Sequence, residues 1–187
     1  LLGDILFSWA MEGLNTNTDF NPKIISKVIK LFYQMADEVI VGQMLDVDIT
    51  TRHKVSKELI DEKIRLKTAG YSFIKPLQIG ASLAGGETNE VEKFCKEFGL
   101  AMGVSFQAQD DLMDIISTDE QLQKTTSSDQ SQHQHTYFTF FKSREQGKKL
   151  IEENFNEANG LVRKFSIKED AKKKFLDLIE LIQTRTY

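Results

Sequence analysis

The chain has 187 residues, a formal net charge of −4, 40% hydrophobic residues and 28% charged residues. These values describe a chain that can bury a sizeable core, and they exclude an intrinsically disordered tail. Acidic and basic residues are interspersed, so we expect no nucleic-acid partner and no binding to anionic lipid surfaces.

The single cysteine, Cys95, lies within an apolar helical pattern and cannot form an internal disulfide bond. This cysteine usage suits a reducing compartment. No apolar run reaches the ~18 residues of a membrane span, and no secretory leader opens the sequence. We therefore expect a cytoplasmic protein without a transmembrane segment.

Apolar residues recur mostly at intervals of three and four, which predicts an all-α fold. The first helix begins in mid-pattern at Leu1 without a cap, so we expect further residues upstream. The predicted helices span residues 2–14, 23–46, 53–66 continuing through 67–84, 88–116, 139–158 and 168–185. We expect them to form one domain over residues 1–187, with a kink at Pro76 and a polar loop over residues 117–134.

The most informative stretch is GVSFQAQDDLMDI, residues 103–115, in which three carboxylates lie within five positions. On a helix, Asp110 and Asp114 are i,i+4 neighbours and Asp111 and Asp114 are i,i+3 neighbours, so all three project from one side. Like charges at this spacing destabilise a helix unless a cation compensates them. Mg²⁺ characteristically binds one or two carboxylates while substrate phosphates complete its shell, so the pattern favours a Mg²⁺-diphosphate site. A solvated acidic face is the alternative, which the apolar residues on either side do not favour.

The same helical face continues toward the amino end of this stretch as Gln107, Gly103 and Gly99. Each glycine costs a helix about 1 kcal/mol relative to alanine, so its presence indicates that space is needed there. The two glycines leave room either for an apolar ligand above the acids or for the close packing of a second helix.

A second candidate segment is KTAGYSFIKPLQIGASLAGG, residues 67–86. Lys67 and Thr68 precede the predicted kink, where freed carbonyl groups and a hydroxyl can face a cavity. Taken alone, Lys67 is typical of a surface lysine. A third segment, GQMLDVD, places Gln43 and Asp46 at i,i+3 on a helix end, where polar residues are usually solvated.

Together these segments resemble the trans-isoprenyl diphosphate synthase family, also called polyprenyl synthetases. FQAQDDLMD is similar to the second aspartate-rich motif of that family, and residues 67–86 are similar to its Lys-Thr helix. VGQMLDV resembles its Gly-Gln-x-x-Asp helix, and LLGDILFSWA resembles the Gly-Asp helix that follows the first aspartate-rich motif. In the polar loop, LQKTTSSD resembles the family's Leu-Gly-Lys followed by Ser-Asp, which places Lys124 and Asp129.

The resemblance implies an all-α fold of antiparallel helices around a deep central cavity, a Mg²⁺ cofactor and a homodimer. It also implies an activity in which an allylic diphosphate ionises and its carbocation is attacked by the double bond of isopentenyl diphosphate. Proton loss then leaves a chain five carbons longer. Breaking the C–O bond builds negative charge on diphosphate, which Mg²⁺ and lysines stabilise, while the carbocation requires a cavity that excludes water.

The resemblance further implies three kinds of site residue. The metal ligands are Asp110, Asp111 and Asp114; the residues that contact the allylic diphosphate are Lys67 and Lys124; and the catalytic residues are Lys67, Thr68 and Gln107, of which the last two place oxygens near the cationic carbon.

Two departures from the family pattern stand out. The first aspartate-rich motif and the basic residues that bind isopentenyl diphosphate lie upstream in the family, and nothing in this chain matches them. After Asp129 the chain carries QSQHQHTYF in place of a Gly-Lys-Lys-Thr-like run. The loss of a phosphate-binding lysine weakens the diphosphate binding that we expect from the resemblance. These departures leave a second hypothesis open, a noncatalytic or regulatory subunit of a heteromeric prenyl synthase. They also predict that residues 1–187 alone transfer no prenyl group and expose an apolar helix face that includes some of Leu2, Ile5, Leu6, Trp9 and residues 138–141.

Overall fold

Every regular element in the described part of the chain is a helix, as the spacing of apolar residues predicts. The structure, a computed structural model, describes residues 1–17, 19–124 and 144–185, and for residues 114–124 it describes the backbone only. The elements are α1 (Leu2–Thr16), α2 (Pro22–Thr50), α3 (Lys57–Ile64), a π-helical segment (Arg65–Ile74), α4 (Lys75–Leu83), α5 (Asn89–Lys124), α6 (Arg144–Lys164) and α7 (Glu169–Gln183).

Side-chain caps fix where several of these helices begin. The Asn21 side chain accepts a hydrogen bond from the Lys23 backbone N–H at 2.9 Å, with Pro22 in the first turn of α2. The Ser56 and Thr88 hydroxyls cap α3 and α5 in the same way. The predicted starts of α2 and α5 are therefore confirmed, whereas α3 begins later than predicted because its cap is Ser56.

Helices α5 and α6 both run further than the sequence predicts. The polar composition of residues 117–134 predicts a loop, yet α5 continues to Lys124. The prediction is wrong over residues 117–124 because Glu, Gln, Leu and Lys have high helix propensity. Helix α6 passes its predicted end at residue 158 because Val162 is fully buried on the same face. Residues 125–143, which include the rest of the predicted loop, lie outside the described residues.

The π-helical segment corrects the predicted position of the helix interruption. A kink is expected at Pro76, because proline lacks an N–H group and its ring clashes with the carbonyl one turn before it. The structure instead has ten residues of wider turns just before this proline, and α-helical geometry resumes at Lys75. The Lys75 N–H donates to the Gly70 carbonyl, five residues back. Such π-helical turns are rare and occur frequently at functional sites.

Glycines let α2 and α5 pack closely on the π-helical segment. An added Cβ at Gly103 would lie 2.3 Å from the Ala69 Cβ, and one at Gly99 would lie 2.6 Å from the Ile74 Cγ1. At Gly42 of α2, an added Cβ would lie 2.7 Å from a backbone nitrogen of the segment. No side-chain carbon fits at these distances. Of the two explanations for Gly99 and Gly103, the structure therefore supports close helix packing.

The hydrophobic core is built around α5, which packs on both α6 and the π-helical segment. Phe98 and Phe155 are its largest fully buried side chains. Phe94 stacks on Phe165 with ring centroids 4.1 Å apart. Because α5 is held on two sides, its polar residues keep a defined position relative to the π-helical segment.

Two helices carry exposed apolar stripes whose members recur at intervals of three, four or seven residues, so that each stripe follows one helix face. On α1 the members are between 46% and 71% exposed, which confirms the predicted exposure; they are Leu2, Ile5, Leu6 and Trp9. On α2 the stripe comprises Tyr33, Ile40, Met44 and Val47. The other predicted part of this face, residues 138–141, lies outside the described residues. Among the described helices, none combines the length and apolarity needed to cross a bilayer.

Candidate functional site

A line of hydrogen bonds joins the π-helical segment to the aspartate-rich stretch of α5. The Thr68 hydroxyl donates to Gln107 Oε1 at 2.8 Å, and Gln107 Nε2 donates to Asp111 Oδ1 at 2.9 Å. Thr68 and Asp111 are each only 7% exposed. Because Gln107 and Asp111 are i,i+4 neighbours, one amide bridges a hydroxyl on the facing segment and a carboxylate on its own helix. The structure therefore brings these three sequence-predicted residues together in one buried polar cluster.

The close approach of the two backbones explains why this cluster forms. Gly103 lies one turn before Gln107 on α5, and its contact partner Ala69 directly follows Thr68. A larger side chain at either contact would separate the helices, and the short hydroxyl of Thr68 would then lose the amide. The glycine spacing and the polar cluster are thus parts of one packing arrangement.

The ammonium group of Lys67 lies on an aspartate of α2. Its Nζ is 2.5 Å from Asp46 Oδ2, and Lys63 Nζ is 3.2 Å from Asp46 Oδ1. Partial burial opposes ionisation of Asp46, but the hydrogen bonds and charges of the two lysines outweigh it and hold its pKa below the ordinary value. On sequence alone, Asp46 and Gln43 are typical of solvated residues. Asp46 is instead the partner of two lysines, whereas Gln43 is exposed.

Asp110 carries a partner that the sequence does not indicate. Nη2 of Arg185 donates to Asp110 Oδ1 and, at 3.1 Å, to the Phe106 carbonyl. The guanidinium carbon also lies 3.8 Å from the centroid of the Phe106 ring, in cation–π contact. Arg185 follows the end of α7, 75 residues further along the chain. No local motif marks it, so sequence reasoning missed this residue.

The donor set fits a hard divalent cation such as Mg²⁺, which prefers carboxylate oxygens. Asp110 and Asp111 are adjacent on α5, and Asp114 follows Asp110 by one turn. The side chain of Asp114, and that of Lys124 at the end of α5, lie outside the described residues. Within the described residues, no three carboxylate, imidazole or thiol groups come together as a ligand set. Two of the three predicted metal ligands are thus described, and their chemistry suits the ion.

A surface pocket of about 330 Å³ lies far from this cluster. It is lined by residues of α2, α4, the turn that follows α4 and the start of α5, among them Lys27, Ser82 and Glu87. From Asn89 to Asp110, α5 rises about 30 Å at 1.5 Å per residue. The polar cluster, rather than this pocket, is the candidate site because it contains the residues whose chemistry the sequence predicts.

Comparison with known proteins places the chain among relatives longer than itself. The polyprenyl synthetase family model matches residues 1–174. A geranylgeranyl diphosphate synthase of Methanosarcina mazei is 33% identical over 136 residues, which cover 73% of this chain and 41% of that protein. A short chain isoprenyl diphosphate synthase of Methanothermobacter thermautotrophicus is 31% identical over 129 residues, or 69% of this chain and 38% of that protein. The chain therefore spans about two fifths of the length of these curated relatives.

Solved structures share the fold. A geranylgeranyl pyrophosphate synthetase from the archaeon Geoglobus acetivorans has a TM-score of 0.79 at 22% identity, covering 98% of this chain and 65% of that chain. A geranylgeranyl pyrophosphate synthase from Corynebacterium glutamicum, complexed with isoprenyl diphosphate and magnesium, has a TM-score of 0.78 at 19% identity, covering 98% of this chain and 62% of that chain. Since the family model matches nearly the whole sequence, including the aspartate-rich stretch and the Thr68–Gln107 pair, this chain belongs to the polyprenyl synthetase family.

Proposed function

We propose that this chain forms part of the active site of a Mg²⁺-dependent prenyltransferase, which condenses isopentenyl diphosphate with an allylic diphosphate to give a longer trans-polyprenyl diphosphate. The observation that carries the proposal is the partly buried line of hydrogen bonds from Thr68 through Gln107 to Asp111. It sets a hydroxyl and an amide oxygen beside a carboxylate suited to a metal. The relatives compared above are named synthases, which does not favour the alternative of a noncatalytic subunit.

Asp110, Asp111 and Asp114 are the proposed ligands of Mg²⁺. When bound, the ion supplies positive charge that stabilises the diphosphate as it leaves. Gln107 holds an oxygen of Asp111 through its amide and so restrains the orientation of that carboxylate. The magnesium named with the Corynebacterium synthase supports the choice of ion by analogy.

Lys67 and Lys124 are the proposed contacts of the allylic diphosphate. Asp46 holds the Lys67 ammonium near the start of the π-helical segment. An ammonium has three N–H donors, so a lysine bonded to one carboxylate can also donate to a phosphate oxygen. The positive charge of the Lys67 ammonium would stabilise the negative charge that develops on diphosphate.

Thr68 and Gln107 are proposed to act through their oxygens. Gln107 Oε1 accepts the hydrogen bond that the Thr68 hydroxyl donates, so the two oxygens lie side by side. Their remaining lone pairs provide partial negative charge beside each other. Such charge favours a carbocation at the carbon from which diphosphate departs. The burial of Thr68 also helps to exclude water from that carbon.

The complete activity is proposed for a protein that also carries the facing half of the site. The chain spans about two fifths of the length of the two curated relatives compared above, and the family resemblance places the first aspartate-rich motif and the isopentenyl diphosphate-binding residues upstream of the motifs found here. We also propose that the protein acts as a homodimer, on the same family likeness.

The test measures incorporation of radiolabelled isopentenyl diphosphate into allylic primers with Mg²⁺, in a version of the protein extended upstream of Leu1. Asp111→Asn is expected to lower kcat by about 100-fold or more, since changes behind a metal ligand already cost about 10- to 100-fold. Asp177→Asn, at an exposed position of α7, is the control and should keep full activity. Residues 1–187 alone are expected to give no incorporation. Unchanged incorporation by Asp111→Asn would contradict the proposed site.

A further inference from the structure

We propose that Arg185 is a built-in counter-cation of the aspartate-rich stretch, which competes with a divalent cation for Asp110 and so weakens metal binding. The inference rests on the proposed function in one respect, that the carboxylates of α5 bind a divalent cation. It goes beyond that function by assigning a role to the chain that follows α7, which neither the aspartate pattern nor Lys67 indicates.

Within the described residues, three contacts hold the Arg185 guanidinium over one turn of α5. It donates to Asp110 Oδ1, donates to the Phe106 carbonyl at 3.1 Å, and lies 3.8 Å from the centroid of the Phe106 ring. Phe106 precedes Asp110 by four residues, so the guanidinium covers the turn that leads into the acids. Two of the three contacts do not involve Asp110. The charge therefore stays at this place even if Asp110 turns toward another cation.

The backbone that carries Arg185 is also fixed on α5. Gln109 Nε2 donates to the Gln183 carbonyl at 3.2 Å, and Ile182, in the last turn of α7, is buried. The Arg185 side chain is only 18% exposed. Because both its backbone and its guanidinium are held, Arg185 cannot leave the neighbourhood of Asp110 without breaking several contacts.

This fixed charge has opposite effects with and without a divalent cation. Without one, the guanidinium compensates the negative charge of Asp110. With one, it places a positive charge beside a second positive charge and engages a carboxylate oxygen that the cation requires. A hydrogen bond to a charged group is strong enough to shift an equilibrium by about tenfold. Removal of Arg185 should therefore tighten the binding of a divalent cation by about tenfold.

The rival role for Arg185 is to orient Asp110 for the metal. In that role the hydrogen bond from Arg185 holds the Asp110 carboxylate in the orientation that binds the cation. Loss of Arg185 would then weaken cation binding. The sign of the change in affinity separates the two roles.

The experiment titrates the 187-residue chain with Mn²⁺, an ion that suits carboxylate sites and whose free fraction is measured by electron paramagnetic resonance. Arg185→Gln removes the charge, and the dissociation constant is expected to fall about tenfold. Arg185→Lys keeps the charge but loses the planar contact with Phe106, so a fall of about two- to threefold is expected. Arg52→Gln is the matched control, because it breaks an exposed pair of 2.6 Å between Arg52, just after α2, and Asp48 of α2, and it should leave the affinity unchanged.

Circular dichroism checks that each variant folds. If Arg185→Gln does not fold, the Mn²⁺ affinity of Arg185→Lys decides the result. If the unaltered chain binds Mn²⁺ and the folded Arg185 variants bind it equally or more weakly, the counter-cation role is overturned while the proposed metal site stands. Asp110→Asn should weaken Mn²⁺ binding. If neither the unaltered chain nor any variant binds Mn²⁺, the counter-cation role is overturned, while the incorporation assay with Asp111→Asn decides the proposed metal site separately.

Discussion

The hydroxyl of Thr68 is buried, and the hydrogen bond that it donates to Gln107 crosses between two helices. Thr68→Val keeps the shape of the side chain but removes the donor, so the Gln107 oxygen loses that partner. We expect the free energy of unfolding to fall by about 1 kcal/mol, the usual net contribution of one hydrogen bond between partly buried groups. Urea denaturation followed by circular dichroism measures this change.

Thr16→Val is the matched control for this substitution. The Thr16 hydroxyl donates to the Glu12 carbonyl at an exposed position of α1, where water can replace the lost group. The expected change is within about 0.5 kcal/mol. Equal losses of stability in the two variants would mean that the hydrogen bond between Thr68 and Gln107 contributes no more to the free energy of unfolding than an exposed one.

Asp46 makes the stability of the chain depend on pH. Its pKa is held below the ordinary value near 4, so folding favours the ionised form. That stabilisation is fully present above about pH 4 and is lost as the pH falls through the lowered pKa of the folded state. The difference in melting temperature between the unaltered chain and Asp46→Asn should be largest at neutral pH and should shrink below about pH 4. Thermal melts at stepped pH measure it.

The control for the Asp46 prediction is Asp61→Asn. Asp61 pairs with Lys57 at 2.7 Å, but both side chains are about half exposed, at 42% and 52%. Exposed pairs of this kind contribute little to stability, so the melting temperature should change little at any pH. A difference for Asp46→Asn that stays constant down to about pH 3 would contradict the lowered pKa of Asp46.

The site residues differ in how far the sequence alone could find them. Thr68, Gln107 and Asp111 each lie in a local pattern whose chemistry can be read before any fold is known. The pairing of Asp46 with Lys67 depends on how α2 crosses the π-helical segment, which residue spacing does not give. Arg185 meets Asp110 across 75 residues of sequence, and only the docking of α7 on α5 brings them together.

At the scale of the elements, the contact between α5 and the π-helical segment predicts the effect of a methyl group. Gly103→Ala places a Cβ 2.3 Å from the Ala69 Cβ, so the helices must move apart. We expect a loss of about 1–3 kcal/mol in unfolding free energy, as for other overpacked sites, despite the helix propensity of alanine. Denaturant unfolding measures the loss.

Gly80→Ala in α4 is the control for this overpacking. A Cβ at Gly80 meets nothing within 4 Å, so alanine gains helix propensity there without a clash. The expected result is a gain of up to about 1 kcal/mol. Opposite signs for the two substitutions identify the close contact as the cause, and a gain at both positions would refute it.

Helix positions were predictable where the signals are local. Asn21 and Thr88 cap the helices that follow them, and those starts agree with the structure. The π-helical segment was not predictable in the same way. Its hydrogen bonds shift by one residue while the apolar spacing stays nearly the same, and Pro76 marks only where the segment has ended.

At the scale of the whole molecule, the exposed stripe on α1 predicts self-association of the 187-residue chain. Leu6 and Trp9 are 53% and 62% exposed on one face, and contiguous apolar surface of this kind favours association in water. The double substitution Leu6→Glu and Trp9→Glu should shift the chain toward monomer. Sedimentation velocity, with light scattering on the same samples, measures the distribution.

The control adds the same charge to α1 without removing apolar surface. Ser8 and Thr16 are exposed polar residues of the same helix, so Ser8→Glu with Thr16→Glu supplies two negative charges and keeps the stripe. This variant should associate like the unaltered chain. If it becomes monomeric to the same extent, net charge rather than the stripe controls association.

The number of residues in the π-helical segment sets the rotation of α4 relative to α3. An α-helix turns by about 100° per residue, so any insertion or deletion rotates everything beyond it by that amount. Removal of one residue from Arg65–Ile74, with its turns otherwise unchanged, would rotate α4 by roughly a quarter of a circle relative to α3. Either Thr68 would leave the amide of Gln107 or Phe73 would leave the core. A single side-chain substitution in the segment therefore acts at its own contacts. A change in the length of the segment would rotate all the helices on one side of it relative to those on the other.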